Sequence, residues 1–235
     1  MYILLSTFLL GLIFYLAFSF GKFFFYVFHG IKMSQNTSLF EQKGGSPTIG
    51  IFGDSTGLGV GASVPEKSLA GLLGNKYPQS TVVNESTNGL YTKEISKVIK
   101  RQNHFDLLII CCGGVDVLYL KTMEQIRKDV RELFAIASCK SEKILVATPL
   151  NLGLSTAFPW FLRNLFLNRS KKVGRIFEEE AKAFANIFVS NNLGVDSPTL
   201  IPAWEVVSAP DRIHPSDVGY SWVFERILSK IEFPT

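Results

Sequence analysis

No charged side chain occurs in residues 1–21, and none of the 24 Lys and Arg precedes the apolar run that fills this stretch. A cleavable signal peptide wants a basic n-region and a small-residue cleavage site, so the missing cations count against one; Ala17-Phe18-Ser19 is the single weak candidate. With three cysteines the chain cannot carry a disulfide framework, and Cys111 and Cys112 are neighbours in an apolar run, where a strand sends them to opposite faces. We read all three as free, packed thiols. Histidine is equally scarce, at three, which narrows the search for a general base. Charge of one sign is also missing: the net +4 becomes +2 beyond residue 33, from 22 Lys and Arg against 20 Asp and Glu, so no nucleic-acid partner is expected. Internal repeats and low-complexity tracts are absent, and 47% hydrophobic against 19% charged residues excludes a disordered chain, a collagen and a coiled coil.

What is present is unevenly placed. Residues 1–28 hold eight of the twenty Phe. An apolar helix of about 20 residues crosses the ~30 Å hydrocarbon core of a bilayer. Residues 2–20 supply that length, and the run extends to Phe28 past a lone Lys22. The expectation is a retained single-pass anchor over residues 1–33. Lys22, Lys32 and Lys43 follow it, and by the positive-inside rule the C-terminal domain faces the cytoplasm. Residues 34–46 are polar and Gly-rich and read as a linker, leaving residues 47–235 as one domain.

Within that domain, runs 48–52, 81–83, 107–112 and 144–147 are short, β-rich and bounded by turn residues, as buried parallel strands are. Between them lie helical stripes: Met123, Ile126, Val130, Leu133 and Ala137 line one, and Val173, Phe177, Ala181, Phe184 and Phe188 another. A further helical stretch carries Val218, Trp222, Ile227 and Ile231. Such alternation predicts an α/β domain with a mostly parallel sheet covered on both faces.

The first strand leads into Gly53-Asp54-Ser55-Thr56-Gly57-Leu58-Gly59-Val60-Gly61-Ala62. Three chemistries fit. Ligands bind at the carboxyl ends of parallel strands, so a Ser set there in a Gly-flanked turn is placed to be a nucleophile. Alternatively Gly57-x-Gly59-x-x-Ala62, with Glu85 downstream, fits a relaxed dinucleotide fingerprint, although Ser63-Val64-Pro65 interrupts the helix that should begin there. Gly53-x-Ser55-x-Gly57 also matches a nucleophile elbow, a motif that ordinarily follows several strands. A nucleophilic Ser needs a base. His29 sits at the membrane edge and His104 in a polar connection, whereas Asp211-Arg212-Ile213-His214-Pro215 holds a carboxylate three residues before an imidazole. One turn can bring the two together, the carboxylate accepting from Nδ1 and leaving Nε2 free as base.

Four blocks in order make the chain resemble the SGNH hydrolases, or GDSL-type esterases and lipases, over roughly residues 47–231. They are Gly53-Asp54-Ser55; Asn84 with Gly89; Gly113-Gly114-Val115-Asp116; and Asp211-x-x-His214-Pro215. The resemblance implies a three-layer, flavodoxin-like α/β fold with five parallel strands and cofactor-free, metal-free hydrolysis of esters or thioesters. By it, Ser55 is the nucleophile, His214 the base and Asp211 its orienting acid, while the N–H groups of Ser55 and Gly89 face the oxyanion. The third block departs from the pattern, because Val115 stands where the family has an Asn whose side chain donates to the oxyanion. Losing one such donor costs about 100 to 1000-fold in rate. Asn84, Asn88 and Asn151 are candidate substitutes.

Two further readings remain beside the membrane-anchored esterase acting on an acyl ester: a non-catalytic domain of the same shape that binds lipid or glycan, motivated by Val115, and a nucleotide-binding oxidoreductase. Residues 158–172, aromatic and basic by turns, suit either a contact with membrane lipid, an acyl-substrate lid or an ordinary connection. Asp54 and Asp116 are more consistent with loop hydrogen bonding than with a carboxylate pair.

Overall fold

The computed structural model describes residues 2–195 and 202–230, with the side chains of residues 2–4 left aside. The chain begins with helix α1 (Tyr2–Asn36). Strand β1 (Gly45–Gly53) leads through a single turn, α2 (Ser55–Leu58), to α3 (Leu69–Lys76). Then follow β2 (Ser80–Asn84), α4 (Thr92–Lys100), β3 (Leu107–Cys111), α5 (Gly114–Leu118), α6 (Met123–Ser138) and β4 (Ile144–Ala147). The long α7 (Trp160–Ala181), β5 (Ile187–Ser190), α8 (Trp204–Val207) and α9 (Asp217–Leu228) complete the order.

The five strands form one parallel sheet in the order β2-β1-β3-β4-β5. Every residue of β3 is buried, which explains its unbroken Leu107-Leu108-Ile109-Ile110 run: with helices on both faces, neither set of alternate side chains reaches water. Leu108, Ile110 and Val146 pack with Ile95 and Ile99 of α4, Val130, Leu133 and Phe134 of α6, and Val173 and Phe177 of α7. On the other face Ile49, Ile51, Leu107, Ile109 and Leu145 meet Leu69 and Leu73 of α3 and Tyr220, Val223 and Ile227 of α9. Each such side chain, fully buried, contributes about 1.5–3 kcal/mol against conformational entropy. Cys111 and Cys112 fall in opposite clusters, as strand alternation requires. This strand order reverses direction between β1 and β3, and the crevice at a reversal is where α/β sheets bind ligands. The α/β expectation therefore holds, with the three-layer arrangement and all five strands parallel.

Three local expectations change. The stripe drawn through Phe188 is not one helix: α7 stops at Ala181, and Phe188 lies in β5. Phe184 still packs on the α6–α7 core from the intervening turn, so its spacing from Phe188 imitates a helical step. Residues 158–172 are largely the first half of α7 rather than a connection. Cys139 is exposed, not packed. Ile231 and the remainder to residue 235 lie outside the described residues.

Helix α1 is the one helix among the described residues long and apolar enough to cross a membrane. Its 35 residues span about 52 Å at 1.5 Å each, well beyond the ~30 Å of hydrocarbon. The two halves differ. Leu5, Phe8, Ile13, Phe14 and Phe18 are exposed, whereas from Ser19 onward one face (Ser19, Phe23, Tyr26, Gly30) turns toward the domain. Phe23 packs on Phe158 with ring centroids 5.5 Å apart, and Phe20 on Phe161 at 6.2 Å. The helix continues past residue 33 to Asn36, and Thr37 Oγ1 donates to the carbonyl of Met33 at its end. The stretch expected as a linker is held to the sheet. Gln42 and Val82 exchange both backbone hydrogen bonds, and Gln42 Nε2 donates to the carbonyls of Tyr77 and Ser80, so the open edge of β2 is covered.

Candidate active site

The turn after β1 is built by Asp54. Its Oδ1 accepts from Thr56 N at 2.9 Å, capping the single turn α2, and Gly59 closes it in the left-handed conformation (φ 97°). Ser55 occupies the first position of that turn, and no protein acceptor among the described residues takes up its N–H. Asp54 is 2% exposed, and burial pushes its carboxyl up to about 6 against the pull of the Thr56 N–H and of His214. Because the chain breaks at Ser63-Val64-Pro65 before α3, no helix begins within Gly57–Ala62 to cradle a pyrophosphate.

The partner side chains arrive on a hairpin-like loop between α8 and α9. Ser208 and Pro215 form an antiparallel bridge, Ala209 N donates to His214 O at 2.8 Å, and Ser216 N to Val207 O at 2.8 Å. Arg212, at its tip, has φ 61°, unusual for a residue with a side chain. Its carbonyl is fixed from two sides, by Trp204 Nε1 at 3.0 Å and Ser155 Oγ at 2.5 Å. Inside the loop Asp211 Oδ1 accepts from Ile213 N (3.0 Å) and His214 N (3.1 Å), leaving Oδ2 for His214 Nδ1. On the far side of the ring, His214 Nε2 accepts from Ser55 Oγ at 2.9 Å. The carboxylate on Nδ1 assigns the proton there and makes Nε2 the acceptor. Burial raises the Asp211 carboxyl, but the His214 hydrogen bond and charge, with the two backbone N–H groups, outweigh it and hold the group below the ordinary carboxylate range.

Tyr220 locks the two loops together. From α9 its buried hydroxyl is shared between Val60 O at 2.8 Å and Thr56 O at 3.2 Å, one just after α2 and one within it. Gly61 is the second contact: at φ 101°, a Cβ there would lie 2.2 Å from Pro215 O and 3.2 Å from His214 Cβ. No sequence pattern announced Tyr220, Trp204 or Ser155, because each acts through a contact distant in the chain.

The rest of the predicted set divides. Gly89 lies on the exposed loop after β2 at φ 78°, its N–H without a protein acceptor among the described residues. Val115 is in the first turn of α5, 7% exposed, and α5 starts against the β1 loop: a Cβ on Gly114 would be 3.6 Å from Asp54 Oδ2. Of the suggested substitutes, Asn84 bonds Gly57 O and Ser86 N, and Asn151 bonds Leu193 O and Gly153 N, so both amides are committed to holding loops. Asn88 is exposed beside Gly89. Asp116 is likewise structural, accepting from Thr92 N, Thr92 Oγ1 and Lys121 Nζ. His104 is exposed, and His29 lies on α1 beside an open cavity of about 470 Å³ that also touches Gly59, Gly61 and Pro210. Burial pushes the Cys111 and Cys112 thiols up, which keeps them protonated and unreactive.

Comparison with known proteins bears on the fold. The model of the GDSL-like lipase/acylhydrolase family matches residues 51–222. No curated protein matches the chain. Similar solved structures include a member of the lipolytic G-D-S-L family from Veillonella parvula (19% identity, TM-score 0.59, 77% of this chain and 96% of that one). Another is a catalytic mutant of an acetylxylan esterase from Geobacillus stearothermophilus (18%, TM-score 0.57, 82% and 97%). A third is TesA (16%, TM-score 0.61, 77% and 96%). At these identities the likeness is one of fold.

Proposed function

Because this chain belongs to the GDSL-like lipase/acylhydrolase family, we propose that it is a membrane-anchored serine hydrolase of carboxylic esters or thioesters, with Ser55 as nucleophile, His214 as general base and acid, and Asp211 as the orienting carboxylate. The observation that carries this reading is the continuous relay from Ser55 Oγ (2.9 Å) through the His214 ring to a carboxylate whose other oxygen is held by two backbone N–H groups. In acylation, His214 Nε2 takes the Ser55 proton as Oγ bonds to the ester carbon. The tetrahedral oxyanion turns to the N–H groups of Ser55 and Gly89, and the leaving alcohol or thiol receives the proton from Nε2. Water, deprotonated by the same nitrogen, then releases the acid and restores Ser55. Asp211 stays ionised and stabilises the imidazolium.

The anchor is α1, and its lysines favour a domain on the cytoplasmic side. Trp160, exposed on α7, lies against Phe161, which packs on Phe20; with Lys22 and Arg163 nearby, the group has the aromatic and basic character of an interfacial collar. This supports membrane lipid as a partner and an acyl ester as substrate. A fluorophosphonate probe tests the whole reading: it is expected to label the membrane fraction, to fail on Ser55→Ala, and, in membrane-impermeant form, to label only after lysis. Labelling that survives Ser55→Ala removes Ser55 from the mechanism, and labelling of intact cells by the impermeant probe reverses the orientation. The apolar Val115 favours a second reading, a binding domain of the same fold, and absence of labelling on folded protein would decide for it.

A further inference from the structure

Helix α1 reaches into the site it anchors. Gly30 is buried on its docked face, and a Cβ placed there would lie 2.8 Å from Asp211 Oδ2 and 3.7 Å from Asp211 Cβ and Cγ. Oδ2 is the oxygen that accepts the hydrogen bond from His214 Nδ1–H. At Gly11 and Gly21 of the same helix a Cβ would meet nothing within 4 Å, so the close approach belongs to this turn and not to glycine in α1 generally. Asp211 itself is 0% exposed, although it sits in a surface loop where Pro210 is exposed and Arg212, Ile213 and His214 are half-buried. The backbone of α1 at Gly30 covers the carboxylate on this side.

A carboxylate closed off from water binds an imidazole N–H more strongly and in one orientation, because no solvent competes for its lone pairs and the local dielectric is low. Only a residue without a side chain lets a helix backbone come this near. Gly30 lies 11 residues, about 16 Å, beyond Ser19, where α1 begins to dock on the domain. Resting on the reading of Ser55, His214 and Asp211 as catalytic residues, we propose that Gly30 is a positioning residue: the anchor helix is a wall of the active site, and its docking over Asp211 sets the orientation and strength of the Asp211–His214 bond.

The test uses the full chain in detergent micelles, with nitrophenyl acetate as substrate and two readouts. In Gly30→Leu, kcat should fall about 100-fold, the size of loss that a displacement near 1 Å brings, while KM stays within about twofold. Gly30→Ala should fall about 10-fold, and Gly21→Leu should match the wild type. Independently of turnover, the far-downfield proton resonance of the His214 imidazolium Nδ1–H should be present in wild type and Gly21→Leu and lost or moved upfield in Gly30→Leu. Should Gly30→Leu fail to fold, Gly30→Ala decides. Unchanged kcat and an unchanged resonance in the Gly30 variants overturn the proposal, as do equal losses in Gly30→Leu and Gly21→Leu. Turnover that survives Ser55→Ala, or is absent from wild type, sinks the catalytic reading instead, and the resonance still decides whether α1 positions Asp211.

Discussion

The loops that follow β1 and β3 leave the same edge of the sheet on adjacent strands, yet they are built for opposite ends. After β1, Asp54 bends the chain into one short turn, Ser55 N–H is left without a protein acceptor, and the loop is tied from outside by Tyr220 to Thr56 O and Val60 O. After β3, polar groups are consumed by structure. Asp116 takes Thr92 and Lys121, the Arg169 guanidinium bonds the carbonyls of Asp116, Val117 and Lys121, and Val115 presents an apolar side chain. Strand order gives a loop its place at the crevice, and only its free polar groups give it chemistry. The β1 loop adds a hydroxyl that bonds the His214 ring, and the side chains of the β3 loop add none.

The largest way to break this comparison is to disable the β1 side through its relay. Asp211→Asn should leave the fold intact, since an amide oxygen can still accept from Ile213 N and His214 N, but should cut kcat about 10⁴-fold because the tautomer and the imidazolium both lose their support. Steady-state hydrolysis of nitrophenyl esters checks this, and wild-type turnover would reduce the site to a Ser-His dyad.

The two carboxylates near Ser55 sharpen the contrast through pH. Asp54 has a folded pKa raised to about 6 from 3.8, so its ionisation opposes the fold. Its contribution is fully present below the unfolded value and disappears as pH rises through about 6. Asp211, lowered by His214, has the opposite sign: its contribution is present above the unfolded carboxylate value and is lost as pH falls through the folded one. Asp54→Asn, which keeps an oxygen for Thr56 N, should therefore stabilise the protein at pH 7.5 by roughly 1 to 3 kcal/mol and flatten the loss between about pH 4 and 6. Chemical denaturation in micelles at several pH values measures it, and an unchanged slope would show that Asp54 is not held protonated.

The smallest effect comes from converting the β3 loop toward the β1 type. Val115→Asn restores a donor at the position the family uses, and should raise kcat by about 10 to 100-fold with little change in KM, since the new bond strengthens only as the oxyanion forms. The gain is less than a native donor supplies because the surrounding groups were not selected to hold an Asn there. No gain, from a wild type that already turns over efficiently, would mean that another group, with Asn88 the nearest candidate in the chain, fills the third position.

Much of this is legible in the sequence. The β-rich runs at 48–52, 107–112 and 144–147 became β1, β3 and β4 because a strand buried on both faces must be apolar throughout. The Asp211-x-x-His214 spacing fits one turn, and one loop does join them. Local period misleads where tertiary context overrides it. Phe184 and Phe188 sit four apart, yet a turn separates α7 from β5. Likewise the polar composition of residues 34–46 signalled a linker, whereas Gln42 uses that polarity to pair with the edge of β2.

Composition and local period by themselves determined the apolar span and the α/β alternation, and brought forward Ser55 and the Asp211–His214 pair as candidates, since each depends on residues near one another in the chain. The meeting of Ser55 with His214 across 159 positions is of another kind. So are the Tyr220 bridge between the loops and the contact of Gly30 with Asp211. Those were decided only when the sheet ordered its strands and α1 and α9 docked against it, because a contact between distant segments is set by packing geometry, to which no periodicity within either segment is sensitive.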